Sequence, residues 1–155
     1  MNAQKMALCA GTVALALMLG ALGFQYLGGF PPCEMCQWQR WPLIAAAIIG
    51  IGGFLAIRGD NSAASKSIAT LVILLVAGSG AIGAYQAGIE WHWWSGPEAC
   101  TGARFVFTGL NDLNVHTLVR CDVAAWRLFG ISLAGYNAII SLGTAAVCLA
   151  IWRKR

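Results

Sequence analysis

Residues 6–27 form the stretch MALCAGTVALALMLGALGFQYL, which contains 22 residues and no charged side chain. A helix of about 20 apolar residues spans the hydrocarbon core of a bilayer. Three more uncharged stretches follow, at 41–57, 67–89 and 128–152, and they contain 17, 23 and 25 residues. Because a helix pairs its own backbone groups within lipid, the pattern predicts an all-α integral membrane protein, a four-helix bundle.

The composition agrees with a membrane protein and argues against a soluble domain. Hydrophobic residues make up 59% of the 155-residue chain and charged residues only 10%, whereas soluble domains carry about 25% charged residues. We find no internal repeat and no second domain, so we expect a single domain over 1–155 in contact with membrane lipid. A cleaved signal peptide is the alternative for the first stretch, but 22 residues exceed the usual apolar region of about 7–15.

Positive charge is concentrated on one side of the predicted bundle. The N-terminus, the second loop and the C-terminus carry six basic residues against one acid, namely Lys5, Arg58, Lys66, Arg153, Lys154 and Arg155 against Asp60. The first and third loops are slightly acidic, with Arg40, Arg104, Arg120 and Arg127 against Glu34, Glu90, Glu98, Asp112 and Asp122. The positive-inside rule therefore predicts cytoplasmic termini and two outer loops. The net charge of +4 reflects this topology and does not indicate a nucleic-acid partner.

Two further features suit helices packed in a bilayer. Small residues lie four apart in the second and third stretches, as in the pairs Ala46/Gly50 and Gly80/Ala84, and such pairs let helix backbones approach closely. Six of the seven tryptophans lie near the ends of the outer loops, as an interfacial belt would: Trp38, Trp41, Trp91, Trp93, Trp94 and Trp126.

The outer loops carry four cysteines, Cys33 and Cys36 in the first and Cys100 and Cys121 in the third. In a Cys-x-x-Cys motif, helix N-terminal amides and the neighbouring thiol can lower the pKa of a thiol into the reactive range. Pro31 and Pro32 precede the motif, and because proline is tolerated at a helix start, a helical turn can begin there. The arrangement predicts two redox-active thiol pairs at a membrane surface.

Arg40 lies four residues after Cys36. If this segment is helical, the guanidinium lies one turn beyond the Cys36 sulfur and favours its thiolate. Pro42 argues against one continuous helix, because its ring would clash with the Trp38 carbonyl. We therefore expect the second span to restart near Trp41–Pro42. The spacing leaves two roles open for Arg40, an interfacial anchor or a ligand for a polar headgroup.

Other interpretations of the cysteines and histidines stay open at this point. A zinc site is disfavoured because 20 residues separate Cys100 from Cys121 where a second close pair would be expected, and two purely structural disulfides are also possible. Cys9 and Cys148 are expected to be small apolar fillers near the cytoplasmic side. His92 and His116 are expected at the surface. Four side chains of the third loop form a loose apolar face, which fits either a segment lying on the membrane or a strand or plain loop: Leu110, Leu113, Val115 and Leu118.

Three sets of residues, taken with the four spans, resemble one known family. They are the motif Pro32-Cys33-Glu34-Met35-Cys36-Gln37-Trp38-Gln39-Arg40, the pair Cys100 and Cys121, and the run from Cys121-Asp122 through Trp126-Arg127-Leu128-Phe129-Gly130 to Tyr136-Asn137. Together they are similar to the DsbB family of disulfide-generating membrane proteins, over essentially the whole chain. The loop between Cys100 and Cys121 is shorter than in the best-known members.

The resemblance implies an electron relay in the bacterial inner membrane. A reduced periplasmic dithiol protein similar to DsbA would attack Cys100, which pairs with Cys121 at rest. Cys121 would then exchange with Cys33. Cys36 would face a membrane quinone, ubiquinone or menaquinone, and Arg40 would hold the quinone oxygen. The implied activity is a quinone-dependent protein-disulfide oxidoreductase, one that assists the folding of other proteins as a chaperone does.

Energetics explain why such a relay needs a strong oxidant. DsbA-like proteins have reduction potentials of about −120 mV, whereas those of ordinary protein disulfides are about −300 mV. The difference corresponds to a free energy on the order of 8 kcal/mol. Two other functions remain as alternatives: a membrane thiol reductase that moves electrons outward, and a disulfide-stapled scaffold that recruits a periplasmic partner.

Overall fold

Four long helices dominate the computed structural model, which describes residues 2–57, 62–97 and 120–154. They are α1 (Ala3–Tyr26), α2 (Glu34–Ala56), α3 (Ala63–Glu90) and α4 (Leu133–Arg153). A short hairpin of β1 (Arg127–Leu128) and β2 (Ile131–Ser132) precedes α4. Each helix is long and apolar enough to cross a membrane. The predicted all-α four-helix membrane fold is therefore confirmed.

Every helix begins at a residue whose side chain caps the first turn. The side chains of Asn2, Cys33, Ser62 and Ser132 each accept the backbone N–H three residues later. Short polar side chains at this position satisfy donors that the helix itself leaves unpaired. The caps fix where the helices start, so local chemistry sets these boundaries more sharply than hydrophobicity does.

The second helix begins at Glu34 and continues through Pro42 to Ala56. The expectation of a restart near Trp41–Pro42 was therefore wrong. Membrane helices tolerate proline where neighbouring groups satisfy the freed backbone. Pro42 removes the amide donor of the Trp38 carbonyl. At the next carbonyl, the Ser79 hydroxyl on α3 donates to the main-chain oxygen of Gln39 at 3.0 Å, which ties this part of α2 to α3. Residues 34–40 consequently lie on the same helix as the membrane-buried part of α2.

The fourth helix starts later than the apolar stretch that begins at residue 128. Arg127 pairs with Ser132 and Leu128 with Ile131 in an antiparallel hairpin. The two residues of its turn, Phe129 and Gly130, have φ values of 51° and 80°. Two consecutive positive φ values are typical of a tight two-residue hairpin turn. Residues 127–132 thus form a rigid entry to α4.

The four helices alternate in direction, so both described chain ends lie at one end of the bundle. There, Gln4 at the start of α1 donates to the main-chain oxygens of Phe54 and Ile57 at 2.9 and 2.7 Å, and Trp152 packs on Ala3 and Ala69. The start of α2, the end of α3 and the hairpin lie at the opposite end. Cys33, Cys36 and Cys121 therefore share one end of the molecule.

Small residues let the helices touch. A Cβ atom added to Gly50 on α2 would lie 2.6 Å from the Ala7 oxygen and 2.9 Å from Gly11 Cα on α1. One added to Gly83 on α3 would lie 2.8 Å from the Ala134 oxygen on α4. Such close backbone approach favours helix association in lipid. These crossings hold the bundle that positions the thiols.

Candidate active site

The Cys-x-x-Cys motif forms the first turn of α2. Cys33 is the N-cap residue, and its sulfur accepts the backbone N–H of Cys36 at 3.2 Å. A helix N-terminus favours negative charge because its amides point outward unpaired. The expected helical turn at the motif is confirmed.

Cys121 packs against this motif although it lies far away in the chain. Cys33, Cys121, Met35 and Ile89 form one buried cluster, with Cys36 at its edge. Cys33 is 4% exposed and Cys121 only 1% exposed. Hydrogen bonding to Cys36, together with burial, raises the pKa of the Cys33 thiol. Three of the four predicted redox cysteines are thus brought together, while Cys100 lies outside the described residues.

Gln86 on α3 contacts both sulfurs of the motif. Its amide nitrogen lies 3.4 Å from Cys33 Sγ and 3.5 Å from Cys36 Sγ. The Cys36 sulfur also lies 3.9 Å from the amide oxygen of Gln86. Gln86 is itself 3% exposed. The side chain is therefore part of the site, and the sequence reasoning missed it.

A buried polar network continues from Gln86 into the bundle. Gln39 donates to the Gln86 amide oxygen at 2.6 Å and accepts from Asn137 at 2.8 Å. Asn137 also donates to the Ser79 hydroxyl at 3.0 Å and accepts from the Ser141 hydroxyl at 2.9 Å. Polar side chains inside membrane helices are costly and often mark functional sites. That signal was available in the sequence at Gln86 and Asn137.

Glu90 ends α3 beside the same amide. Its Oε1 accepts from the Gln86 amide nitrogen at 3.1 Å, and its main-chain oxygen accepts from the Arg127 guanidinium at 3.1 Å. The side chain is 5% exposed, and within the described part of the chain its Oε2 has no hydrogen-bond partner. The dithiol therefore lies next to a buried carboxyl group.

An apolar cavity of about 190 Å³ opens beside Cys36. Its walls come from α1, α2, α4 and the segment before the motif, and they include Leu17, Phe24, Phe30, Leu43 and Leu133. The polar groups on the lining are few: Cys36, Gln39, Arg40 and Asn137. A mostly apolar pocket with a few convergent polar groups is typical of a small-molecule site.

Arg40 lines this cavity one helical turn after Cys36. Its guanidinium donates to Gln25 Oε1 at 2.6 Å and to the Ala21 oxygen at 3.5 Å, both on α1, and to Gln37 Oε1 at 3.5 Å. Among the described residues it has no carboxylate partner within ion-pair distance. The cation is therefore held in place without being neutralised. The side-chain donor that contacts the Cys36 sulfur belongs to Gln86. Arg40 instead faces the cavity, which Cys36 also lines.

An ion pair stands next to Cys121 in the chain. Arg120 Nε donates to Asp122 Oδ1 at 2.9 Å. This hydrogen bond lowers the pKa of the Asp122 carboxyl. The pair is exposed on the Arg120 side, with 58% of that side chain accessible, so it contributes little to stability.

The remaining predictions divide between described and undescribed residues. His92 is exposed, as expected, and Cys148 packs against Ile73 and Ala145 in the core. Cys9 is exposed on α1, so the expected filler role does not apply to it. Among the described residues, no three His, Cys, Asp or Glu side chains are grouped to hold a metal. His116 and the apolar face of Leu110, Leu113, Val115 and Leu118 lie outside the described residues.

Comparison with known proteins points to one family. The chain matches the family model described as "Disulfide bond formation protein DsbB" over residues 3–151. Several similar curated proteins are called disulfide bond formation protein B. They include those of Methylococcus capsulatus (28% identical, 88% of this chain, 86% of the relative), Polaromonas naphthalenivorans (26%, 91% and 88%) and Aromatoleum aromaticum (23%, 96% and 89%). No solved structure matches the chain.

Proposed function

The chain belongs to the DsbB family of disulfide bond formation proteins, and from this premise we propose that it oxidises a periplasmic dithiol protein and passes the electrons to a membrane quinone. Family and helices together establish a multi-pass bacterial membrane protein of disulfide chemistry. Our proposal adds two components to this: a partner, which we take to be a DsbA-like thiol oxidase, and the quinone.

One observation carries the proposal: Cys121 from the third loop is buried in the same cluster as Cys33, at the edge of which lies Cys36. Cys36 in turn lines the apolar cavity that contains Arg40. A path thus runs from the outer loop, through the motif, to a pocket open to an apolar ligand. A purely structural disulfide framework would not require a cation beside that pocket.

The sulfur chemistry follows from this order. A partner thiolate attacks the sulfur of Cys100, breaks its disulfide with Cys121, and releases Cys121 as a thiolate. A second partner thiol then resolves the mixed disulfide, so the partner leaves oxidised. The Cys121 thiolate attacks the Cys33–Cys36 disulfide, and Cys100 then attacks the new bond to restore Cys100–Cys121. Thiol–disulfide exchange of this kind proceeds by thiolate attack on a disulfide sulfur, and it leaves Cys33 and Cys36 reduced.

The cavity fits a quinone headgroup by its chemistry. It is lined mainly by apolar side chains and carries the guanidinium of Arg40, which is hydrogen-bonded to Gln25 and has no carboxylate partner among the described residues. Arg40 would hold a quinone oxygen, and Leu17, Phe24 and Leu43 would cover the ring. When bound, a quinone accepts two electrons and two protons from the dithiol, which closes the Cys33–Cys36 disulfide. The chain's own part is to hold Cys36 at the cavity and to keep water away from it.

Charge favours one orientation of the bundle in the bacterial inner membrane. The end with Lys5, Lys66, Arg153 and Lys154 is the more basic one. By the positive-inside rule we place that end, with both termini, in the cytoplasm. The thiol end then faces the periplasm, where disulfides persist because the compartment is oxidising.

A trapping experiment tests the relay. Replacing Cys121 by Ala removes the thiolate that leaves when the partner attacks, and it leaves Cys100 as a free thiol. The partner is supplied with its second, resolving cysteine replaced and its attacking cysteine activated as a mixed disulfide with thionitrobenzoate, so that Cys100 displaces thionitrobenzoate and no partner thiol remains to resolve the adduct. We expect a stable adduct at Cys100, seen as a mobility shift on non-reducing gels and located by mass spectrometry. Cys33→Ala is the matched control, and it should leave the Cys100–Cys121 disulfide intact. An adduct located on Cys33 would reverse the proposed order.

The direction of electron flow needs a second measurement. Purified protein, reduced partner and a soluble quinone are mixed, and quinone absorbance is followed. We expect loss of the oxidised quinone together with partner oxidation, and no reaction when Cys36 is replaced by Ser. Oxidation of quinol with partner reduction would identify an outward thiol reductase. If the wild-type protein catalyses neither reaction, only the scaffold function remains. A fully active Cys36→Ser variant would show that Cys36 does not pass electrons to the quinone.

A further inference from the structure

Gln86 is the side chain whose polar atoms contact both sulfurs of the motif. The nitrogen of its amide lies 3.4 Å from Cys33 Sγ, 3.5 Å from Cys36 Sγ and 3.1 Å from Glu90 Oε1. An amide nitrogen carries two hydrogens and is a donor only. Three acceptors therefore surround two hydrogens at the point where thiol chemistry takes place.

The polar network determines which end of the amide faces the sulfurs. The Gln39 amide nitrogen donates to Gln86 Oε1 at 2.6 Å, and Gln39 keeps this orientation because its own oxygen accepts from Asn137 at 2.8 Å. Asn137 is fixed in turn, because its nitrogen donates to Ser79 and its oxygen accepts from Ser141. If the Gln86 amide were rotated by half a turn, its oxygen would face the Glu90 carboxyl. Its nitrogen would then face the amide nitrogen of Gln39, and neither could accept a hydrogen bond from the other. The chain of amides therefore points the donor at Cys33 and Cys36.

We propose that Gln86 is a catalytic residue that stabilises the thiolate of the Cys33–Cys36 pair by donating an N–H to sulfur, and that Gln39 and Asn137 position it. The inference rests on the proposed redox role of this pair. A hydrogen bond from a fixed donor to a charged acceptor stabilises the charged form more than the neutral one. Negative charge on sulfur arises whenever the disulfide is attacked or the dithiol reacts, so the donor acts on a state that the reaction requires.

Burial strengthens the effect. Gln86 is 3% exposed and Cys33 4% exposed, so water does not compete for the sulfur. In a medium of low dielectric, a donor fixed before the charge develops needs no reorganisation. Gln86 would thus stabilise negative charge at the sulfurs, as Arg40 is proposed to do at the quinone oxygen.

The test measures thiolate reactivity in the reduced, full-length protein in detergent, without partner or quinone. Iodoacetamide alkylation of Cys36 is followed by mass spectrometry between pH 5 and pH 9. Gln86→Met keeps the length of the side chain but removes the donor. We expect its alkylation profile to move upward by about one pH unit, so that the rate falls about tenfold on the acid side of the profile, where the thiolate is the minor form, since hydrogen bonds to charged groups are worth about this much.

Two further variants separate catalysis from structure. Gln86→Glu keeps the shape and the acceptor for Gln39 but presents oxygen to the sulfurs, so its profile should move in the same direction and further. Gln4→Leu removes two hydrogen bonds, to the Phe54 and Ile57 oxygens at the opposite end of the bundle, and should lower thermal stability while leaving the profile unchanged. If a folded Gln86→Met or Gln86→Glu variant shows the wild-type profile, Gln86 is only structural and the proposal fails. A wild-type protein that reduces no quinone, while Gln86→Met still shifts the alkylation profile, would overturn the proposed function and leave the role of Gln86 at the sulfurs standing.

Discussion

At the scale of single residues, the contacts of Arg40 fit both roles that the sequence left open, an interfacial anchor and a ligand. Its contacts to Gln25 and to the Ala21 oxygen tie α2 to α1, which is what an anchor does. The same guanidinium lines the cavity beside Cys36. The two roles left open by the sequence are therefore compatible, and only a measurement on the ligand separates them.

Replacing Arg40 tests the ligand role. Arg40→Met removes the cation that would stabilise charge developing on a quinone oxygen, and we expect the KM for quinone to rise by about tenfold or more, the worth of a charge-assisted hydrogen bond. Arg40→Lys keeps the charge but loses the planar fork, so its KM should rise less. Steady-state kinetics with a soluble quinone give both values.

Gln25→Leu provides the control for the anchor role. It removes the 2.6 Å hydrogen bond of Arg40 to α1 but leaves the cation. We expect lower stability with a smaller change in KM. Exchange between the Cys100–Cys121 pair and the partner should remain near the wild-type rate in all three variants. A normal quinone KM in folded Arg40→Met would leave Arg40 as an interfacial anchor alone.

At the scale of helices, the contact between α1 and α2 depends on Gly11 and Gly50, which face each other. Because a Cβ atom on Gly50 would approach the Ala7 oxygen to 2.6 Å, Gly50→Ala forces the helices apart. We expect destabilisation of about 1–3 kcal/mol, as for other overpacked sites. The midpoint of thermal unfolding in detergent measures it.

Gly52 is the matched control on the same helix. A Cβ atom added there would have nothing within 4 Å. Alanine is preferred to glycine within helices by about 0.5–1 kcal/mol, so Gly52→Ala should be neutral or slightly stabilising. Equal destabilisation by both substitutions would show that the α1–α2 crossing is not tightly packed at Gly50.

The helices also show where sequence patterns stop being informative. Uninterrupted hydrophobicity predicted the existence of all four helices because lipid leaves the backbone no other way to pair its groups. It did not predict their ends. Pro42 lies inside α2, where an interruption was expected, and residues 127–132 form a hairpin whose turn has positive φ at Phe129 and Gly130.

At the scale of the whole molecule, the site depends on contacts between residues distant in the chain. Spacing placed Arg40 one turn from Cys36 only on the condition that the segment is helical, and Pro42 argued against one continuous helix. Spacing did not show that Cys121 is buried against Cys33, or that Gln86 on α3 reaches both sulfurs. Those contacts follow from how the helices pack. The polarity of Gln86 and Asn137 within apolar stretches was a signal that the sequence analysis did not use.

The orientation of the bundle in the membrane is the last property to test, and the structure identifies the positions to use. Cys33 and Cys121 are too buried to report on sidedness, and burial alone would protect Cys148. Cysteines introduced at exposed positions avoid this problem. Ser95 follows α3 at the thiol end, whereas Ala64 and Lys154 lie at the opposite end, and all three residues are exposed.

In a background with Cys9 and Cys148 replaced by Ala and the native redox cysteines kept oxidised, we expect a membrane-impermeant maleimide to label Ser95→Cys in intact spheroplasts. Ala64→Cys and Lys154→Cys should be labelled only after the membrane is permeabilised, because the excess of Lys and Arg keeps their end in the cytoplasm. Labelling of Ala64→Cys or Lys154→Cys in intact cells, with Ser95→Cys protected, would invert the topology. The thiol cluster would then face the reducing cytoplasm, where a disulfide-forming relay has no partner to oxidise.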